Sequence, residues 1–361
     1  MRPAPSTLPP LYDRWMRDCL QGTIPSEPNA TCHDCAMCGV ADAESSRDAV
    51  FYDPRIKCCT FMPTLWNFLV GPLLEDESAE AAAGRRTVEA RIDAGLAVTP
   101  FGLERPPVYQ LKYARIGDGW GRSLSMRCPH YIEEGGLCGV WRARESTCAT
   151  WFCKHQRGAI ARRFWFRLHR LLATVEQAAS RWAVLQLELG EDALEALLPF
   201  QATPDAPPLG AGDFDGRPDP AAYRRIWGRW AGRERQFYRA AGQAVGRLSW
   251  SEALQLGGAE AQLAVTLARR AYGRLRSNDL PARLRARPVQ VLPDPDGAVV
   301  WTYSPIDPLR LSPALLEVLP WFDGRPTRSV LQAIRKERGL KLGPALLRRL
   351  VDFGLLEDAR D

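Results

Sequence analysis

Nine of the ten cysteines in this chain fall into two short groups, and the tenth, Cys19, stands alone. The first group is Cys32, Cys35, Cys38, Cys58 and Cys59, and the second is Cys128, Cys138, Cys148 and Cys153. Cysteines that serve only as small apolar side chains are scattered along a sequence, so this grouping indicates thiolate chemistry. Because the chain carries no recognisable export signal, we expect metal ligation rather than disulfides.

The first three cysteines of the first group, Cys32, Cys35 and Cys38, follow one another at intervals of three residues. In a turn or the first turn of a helix, thiols at this spacing can converge on one centre. Zinc would take two of them plus two from elsewhere, whereas an iron–sulfur cluster could take all three. The spacing predicts zinc or iron, with or without sulfide. The nine thiols suffice for one four-ligand site with spares or for two sites.

Histidines and cations accompany the cysteines. Three of the four histidines lie within or beside the two groups: His33, His130 and His155. Imidazole is a common metal ligand or a hydrogen-bond partner of one. The cations beside the thiols, which could offset thiolate charge, are Lys57, Arg144 and Lys154. His169 lies in an arginine-rich helix and is expected to be a surface or packing residue, and Cys19 is expected to be a packing residue.

The overall composition is that of an ordinary globular protein, with 361 residues, 46% hydrophobic and 25% charged. Arginine supplies most of the positive charge behind the net +6, without an obvious cluster, so a nucleic-acid partner is not expected. The longest apolar stretch, 61–74, is too short to span a bilayer and contains two prolines. We therefore expect no membrane partner and a cytoplasmic location.

Hydrophobic periodicity indicates an α+β chain that is mostly helical. Helices are predicted over 11–20, 79–95, 158–189, 191–198, 220–247 and 251–276, and Ser249 and Glu252 have capping-box spacing. Strands are predicted over 108–116, 289–292 and 298–303, and helices over 312–321, 327–338 and 343–353 complete the chain. The predicted organisation is a disordered or short helical tail (1–27), a metal-stapled cysteine-cluster domain (28–156), a helical region (157–200), a linker (201–219), a second helical region (220–287) and a small winged-helix-like domain (288–361).

The stretch from Cys32 to Cys153 resembles the YkgJ-type cysteine-cluster family, which is described as a zinc- or iron-chelating domain. The residues that match its pattern are Cys32, Cys35 and Cys38, then Cys128 with Pro129, then Cys138, Trp141, Arg144 and Cys148, with Cys153 as an extra terminal cysteine. The resemblance covers about a third of the chain. It implies metal binding and no particular activity.

Two positions depart from that family pattern. Gly39 stands where a second adjacent cysteine would be, and the double cysteine occurs later as Cys58-Cys59. Either of these two thiols could take the missing ligand's place. Glu145 replaces a proline that usually follows the arginine.

The C-terminal region resembles the small winged-helix-like PqqD family. The matching elements are Leu311, Asp323-Gly324, Val330, Leu347, Leu350 and Gly354-Leu355-Leu356. The resemblance implies peptide recognition beside peptide-modifying iron–sulfur enzymes, with the edge strand of the hairpin as the place where a peptide could pair.

These observations support three hypotheses. The first is a metal-binding protein in which zinc, iron or an iron–sulfur cluster is structural, stored or redox-active. The second is an iron–sulfur enzyme that modifies a peptide or protein bound by the C-terminal module. The third is an interaction or regulatory protein that is stapled by zinc. The sequence contains none of these common catalytic or nucleotide-binding motifs: the two glycine-loop fingerprints, the nucleophile elbow and the His-Glu-x-x-His motif.

Overall fold

The computed structural model describes residues 8–28, 32, 35–38, 52–198, 209–295 and 297–360. The helices of the N-terminal half are α1 (Pro10–Leu20), α2 (Asn67–Glu75), α3 (Ala79–Ala94), α4 (Pro107–Ala114), α5 (Ser146–Thr150) and α6 (Gly158–Gln186). The strands of this half are β1 (Leu65–Trp66), β2 (Val98–Thr99), β3 (Gly102–Leu103), β4 (Tyr131–Ile132) and β5 (Leu137–Cys138), and a turn of 3-10 helix spans Lys57–Thr60.

The second half of the chain continues with helices and then a mixed C-terminal part. The helices are α7 (Glu191–Leu197), α8 (Ala211–Phe214), α9 (Pro220–Trp227), α10 (Glu234–Gly246), α11 (Trp250–Leu256), α12 (Gly258–Arg276), α13 (Pro313–Val318), α14 (Thr327–Arg338) and α15 (Pro344–Asp352). The strands are β6 (Arg283–Ala286), β7 (Gln290–Asp294), β8 (Gly297–Trp301), β9 (Leu309–Leu311), β10 (Asp323–Pro326) and β11 (Leu356–Asp358).

The strands of the described residues form small antiparallel sheets in the orders β1-β3-β2, β4-β5, β10-β6-β11 and β7-β8-β9. Helices therefore dominate, and the expectation of a mostly helical α+β chain is confirmed. No helix within the described ranges combines the length and apolar character needed to cross a membrane.

Helix α6 lies at the centre of the core. Its predicted apolar stripe is buried, including Phe164, Leu168, Leu171 and Val175, and the helix packs against α12, α5, α11, α10 and α2. Buried apolar side chains from α1 to β11 join into one contiguous core. The N-terminal helix belongs to that core rather than to a peripheral tail, because Trp15 and Cys19 are fully buried.

Helix α2 follows the double cysteine and buries Phe68, Leu69 and Val70. It packs closely on α10, where a Cβ atom on Gly71 would lie 2.4 Å from the carbonyl oxygen of Tyr238. Only glycine permits this approach. The apolar stretch after the cysteines is therefore a core helix beside the candidate site, as its composition indicates.

The prediction of a strand over 108–116 is wrong, because residues 108–114 belong to helix α4. Pro107 occupies the first turn, where proline favours a helix. Tyr109 and Tyr113, one turn apart, stack with ring centroids 5.9 Å apart. The apparent two-residue alternation of apolar side chains thus arises from residues that lie one helical turn apart.

Two long helices predicted in the second helical region are each broken. The expected helix 220–247 is interrupted between α9 and α10, where Gly228 and Gly232 adopt positive φ angles of 48° and 79°. The expected helix 251–276 divides at Gly257 and Gly258. The capping box at its start is confirmed, since Ser249 and Glu252 bond each other's backbone N–H groups.

The positions of the remaining predicted helices and strands agree with the structure where it describes them. The hairpin β7–β8 and the helices α13 to α15 occupy the predicted positions. Of the predicted linker 201–219, residues 201–208 lie outside the described residues, and the rest includes helix α8. His33 also lies outside the described residues.

Candidate metal centre

The first cysteine group is carried by a tight turn and by a turn of 3-10 helix. The Cys38 N–H donates to the carbonyl oxygen of Cys35 at 2.9 Å, and the thiol of Cys38 donates to that of Cys35. Cys58 and Cys59 lie in the 3-10 turn, where the Cys59 N–H donates to Ile56 O at 3.0 Å. Lys57 starts this turn with a φ of 56°, in the left-handed region that side chains rarely adopt.

The second group lies on the β4–β5 hairpin and on helix α5. Cys138 pairs with Tyr131 across the hairpin, and Cys128 precedes it. The hairpin packs closely against α3, because a Cβ atom on Gly84 would lie 1.7 Å from the carbonyl oxygen of Gly139. Any side chain at Gly84 would therefore displace the strand that carries Cys138.

Helix α5 carries Cys148 and is capped by Glu145. The buried Glu145 carboxylate accepts hydrogen bonds from the N–H groups of Thr147 at 2.7 Å and Cys148 at 2.8 Å. Glu145 drew notice in the sequence only as a departure from a family pattern. Its spacing of three residues before Cys148 is that of a helix cap, which is the signal that could have identified it.

Direct hydrogen bonds tie the two cysteine groups together. The Cys128 N–H donates to the carbonyl oxygen of Cys59 at 2.7 Å. The buried Lys57 ammonium donates to Cys32 O at 2.5 Å and to Gly136 O at 2.8 Å. Segments about 70 to 100 residues apart in sequence are therefore joined at one place.

Cys58 lies close to thiols of both groups. Burial raises the pKa of most of these thiols, and the charge of the nearby Cys58 thiolate raises it further: Cys32, Cys38, Cys128, Cys138, Cys148 and Cys153. The two cysteine groups thus lie next to each other, while Cys19 is buried in the apolar core.

The thiols of this neighbourhood differ in acidity. The hydrogen bond from the Cys59 thiol, aided by the charges of Arg144 and Lys57, lowers the pKa of Cys58 to about 7. The same bond and burial raise the pKa of Cys59. Burial raises the pKa of Cys32 to about 12. The group therefore has one thiol poised to ionise near neutral pH among others that hold their protons.

Two side chains that are not cysteines, Arg144 and Tyr52, lie beside the cysteine cluster. The buried Arg144 guanidinium lies 3.4 Å over the Trp141 ring and donates to Cys148 O at 3.0 Å. Burial raises the pKa of the Cys153 thiol, and the nearby Tyr52 hydroxyl partly offsets that rise, which sequence reasoning did not anticipate. No spacing rule connects Tyr52 to a cysteine about 100 residues away, so only the fold reveals this contact.

The histidine beside Cys128 is held in one tautomer. The Thr87 hydroxyl donates its only proton to Gly84 O at 2.7 Å, so it must accept the hydrogen bond of 2.8 Å from His130 Nδ1–H. His130 Nε2 then carries a lone pair and is buried without a partner in the described part of the chain. Burial lowers the pKa of His130 to about 3, so the ring is neutral.

A surface cleft of about 570 Å³ opens beside the first cysteine group. Its walls include Cys35, Cys38, Lys57, Tyr131 and Gly136. Eight of the nine grouped cysteines are partly exposed rather than fully buried. Solvent and small solutes can therefore reach Cys35 and Cys38 through this cleft.

The donor set fits zinc or iron. Thiolates and neutral imidazole nitrogens are preferred by zinc, iron and iron–sulfur clusters, whereas magnesium and calcium prefer oxygen. All ten cysteines are free of disulfides. Within the described residues, no three side chains of His, Cys, Asp or Glu already meet as ligands of one ion. The thiols of the described residues are thus neighbours rather than a closed ligand set.

No family model, curated protein or solved structure matches this chain. The resemblance to the YkgJ-type family rests on the cysteines together with Pro129, Trp141 and Arg144.

Proposed function

We propose that this chain binds zinc or iron through its cysteine cluster, with an iron–sulfur cluster as one form of the iron centre. The observation that carries the proposal is the direct joining of the two cysteine groups, where the Cys128 N–H donates to Cys59 O and Lys57 bridges Cys32 O and Gly136 O. A packing role for the cysteines would not require this joining, nor the cations Lys57 and Arg144 placed beside the thiols. The proposal takes the chain to act in a reducing compartment such as the cytoplasm, where thiols persist.

In this proposal each neighbouring residue has a defined task. Cys58 supplies the first thiolate at neutral pH, because it is the most acidic of the thiols whose pKa is shifted. The other thiols lose protons as they bind, so loading releases protons to solvent. Lys57 and Arg144 offset the negative charge that remains when four thiolates surround a divalent ion. Glu145 fixes the backbone that presents Cys148.

The bound metal would supply either a structural cross-link or a redox-active centre. Nine thiols exceed the four that one tetrahedral ion or one iron–sulfur cluster requires, which favours a second site over a single structural zinc. The open cleft beside Cys35 and Cys38 favours a centre that exchanges metal or electrons with solutes.

A second candidate is an iron–sulfur enzyme that acts on a peptide held by a winged-helix-like C-terminal module. Strand β7 favours it, because it lies at the edge of its sheet with Val291 and Leu292 exposed by 49% and 41%. An exposed edge strand can add a peptide by strand pairing. The loop after β8 also contacts the end of the cysteine segment, where the His155 N–H donates to Asp307 at 3.4 Å.

The deciding experiment measures iron, zinc and acid-labile sulfide, with an absorption spectrum, on protein purified without oxygen. Cys35→Ser and Cys148→Ser should each lose most of the bound metal and unfold more readily, since binding energy at such sites is folding energy. Cys19→Ala is the matched control, because Cys19 lies in the core and should keep the full metal content.

The outcomes separate the hypotheses. Iron with sulfide and visible absorbance would support a redox centre and would justify testing peptide substrates. Zinc alone, without colour, would support a structural or regulatory centre. Full metal content in both cysteine variants, or no metal in the wild type reconstituted with iron and sulfide or with zinc, would contradict the proposal.

A further inference from the structure

A separate cavity of about 390 Å³ lies where the end of the second cysteine segment meets the C-terminal helices. Its walls include Lys154, His155, Asp307, Arg348, Arg349 and Phe353. This volume is within the range of small-molecule sites. None of the described residues that line it is a cysteine, although Lys154 and His155 directly follow Cys153 in the chain.

Two residues that line this cavity each carry a buried polar atom without a partner in the described part of the chain. These atoms are His155 Nδ1 and Arg348 Nη2. The His155 residue is only 6% exposed. A buried polar atom without a hydrogen bond is unfavourable, so these two residues retain hydrogen-bonding capacity beside the cavity.

The acidic residues of the cavity are already engaged by the protein. Asp352 accepts a two-pronged ion pair from Arg157, with distances of 2.7 and 2.8 Å. Asp307 accepts hydrogen bonds from the Tyr303 hydroxyl and from the backbone N–H of His155. Neither carboxylate therefore needs a cationic ligand.

The cations of the cavity are less fully engaged. Arg348 reaches Asp352 only at 3.9 Å, through Nη1. Lys154 and Arg349 form no ion pair with any described residue, although Arg349 lies 5.4 Å from the centre of the Phe353 ring. The walls thus offer three positive groups and unused N–H donors around one opening.

We propose that this cavity binds a small ligand through an anionic carboxylate or phosphate group. The Arg348 guanidinium would hold the anion, because its planar N–H donors match the geometry of both groups. Lys154 would add charge, and His155 would donate from Nδ1 in the matching tautomer. The proposal does not depend on the identity of the metal or on its presence.

Isothermal titration calorimetry of the intact protein, with its metal content measured, tests the proposal. Inorganic phosphate and succinate are titrated separately at low salt, up to on the order of 10 mM. The variants are Arg348→Gln and Lys154→Gln. The control is Arg335→Gln, the same change at an exposed arginine on α14 outside the cavity.

Arg348→Gln should weaken binding by at least about tenfold, as for the loss of a charge-assisted hydrogen bond. Lys154→Gln should weaken it by about threefold and reduce its salt dependence, and this variant keeps the test valid if Arg348→Gln misfolds. Binding of phosphate alone would assign a phosphorylated ligand, and binding of succinate alone a carboxylate. No saturable binding of either, or equal weakening by Arg335→Gln, would overturn the proposal.

Discussion

Cys58 should be the thiol that reacts first with an electrophile when the metal-free protein is held at neutral pH. The perturbation is trace alkylation with iodoacetamide. The reason is local, since the Cys59 thiol donates to Cys58 and the charges of Arg144 and Lys57 favour its thiolate. Burial instead raises the pKa of Cys32 and Cys153 to about 12.

The size of the preference follows from those pKa values. At pH 7, about half of Cys58 is thiolate, whereas a thiol with a pKa of about 12 is ionised in about one molecule in 10⁵. The less basic thiolate is also a weaker nucleophile, and this reduces the rate advantage of Cys58 by about 200-fold over five pKa units. Cys58 should therefore react on the order of 300-fold faster than Cys32 or Cys153.

Peptide mapping by mass spectrometry after brief labelling at several pH values measures this preference. Labelling of Cys58 should rise through pH 7 and level off above pH 8, and Lys57→Met should shift that rise to higher pH. Metal loading should suppress it. Equal labelling of Cys32, Cys153 and Cys58 at pH 7 would refute the electrostatic reasoning.

Two further predictions concern the buried carboxylates behind α5. Burial raises the pKa of Glu176 from 4.5 to about 8, so the folded chain keeps a proton that the unfolded chain loses. The free energy of unfolding should then fall by up to about 4 kcal/mol as pH rises from 5 to 8. Glu176→Gln should remove this slope in urea denaturation, and an unchanged slope would rule out the assignment. Glu145→Ala should lower stability by about 1–2 kcal/mol by uncapping the helix of Cys148. Glu145→Gln, which keeps one acceptor, should lose less in the same assay, and identical losses would show that capping is not the cause.

Local patterns predicted the parts of the fold whose cause is local. The stripe of Phe164, Leu168 and Leu171 predicted α6, because a helix repeats every 3.6 residues whatever it packs against. The capping box of Ser249 and Glu252 involves residues three apart and was equally visible. The strand predicted over 108–116 failed because a short apolar run does not distinguish two-residue alternation from one helical face.

The candidate site divides in the same way. The sequence alone determined which thiols are candidates, because cysteines grouped at short intervals are recognisable without any fold. Only the tertiary structure decided that Cys59 contacts Cys128, that Lys57 links Cys32 to Gly136, and that Cys58 lies close to thiols of the second group. These contacts join segments about 70 or more residues apart, and no local propensity records which distant segments will pack together. The acidity of Cys58 belongs to the same class, since a pKa depends on burial and on neighbours that only the folded chain supplies.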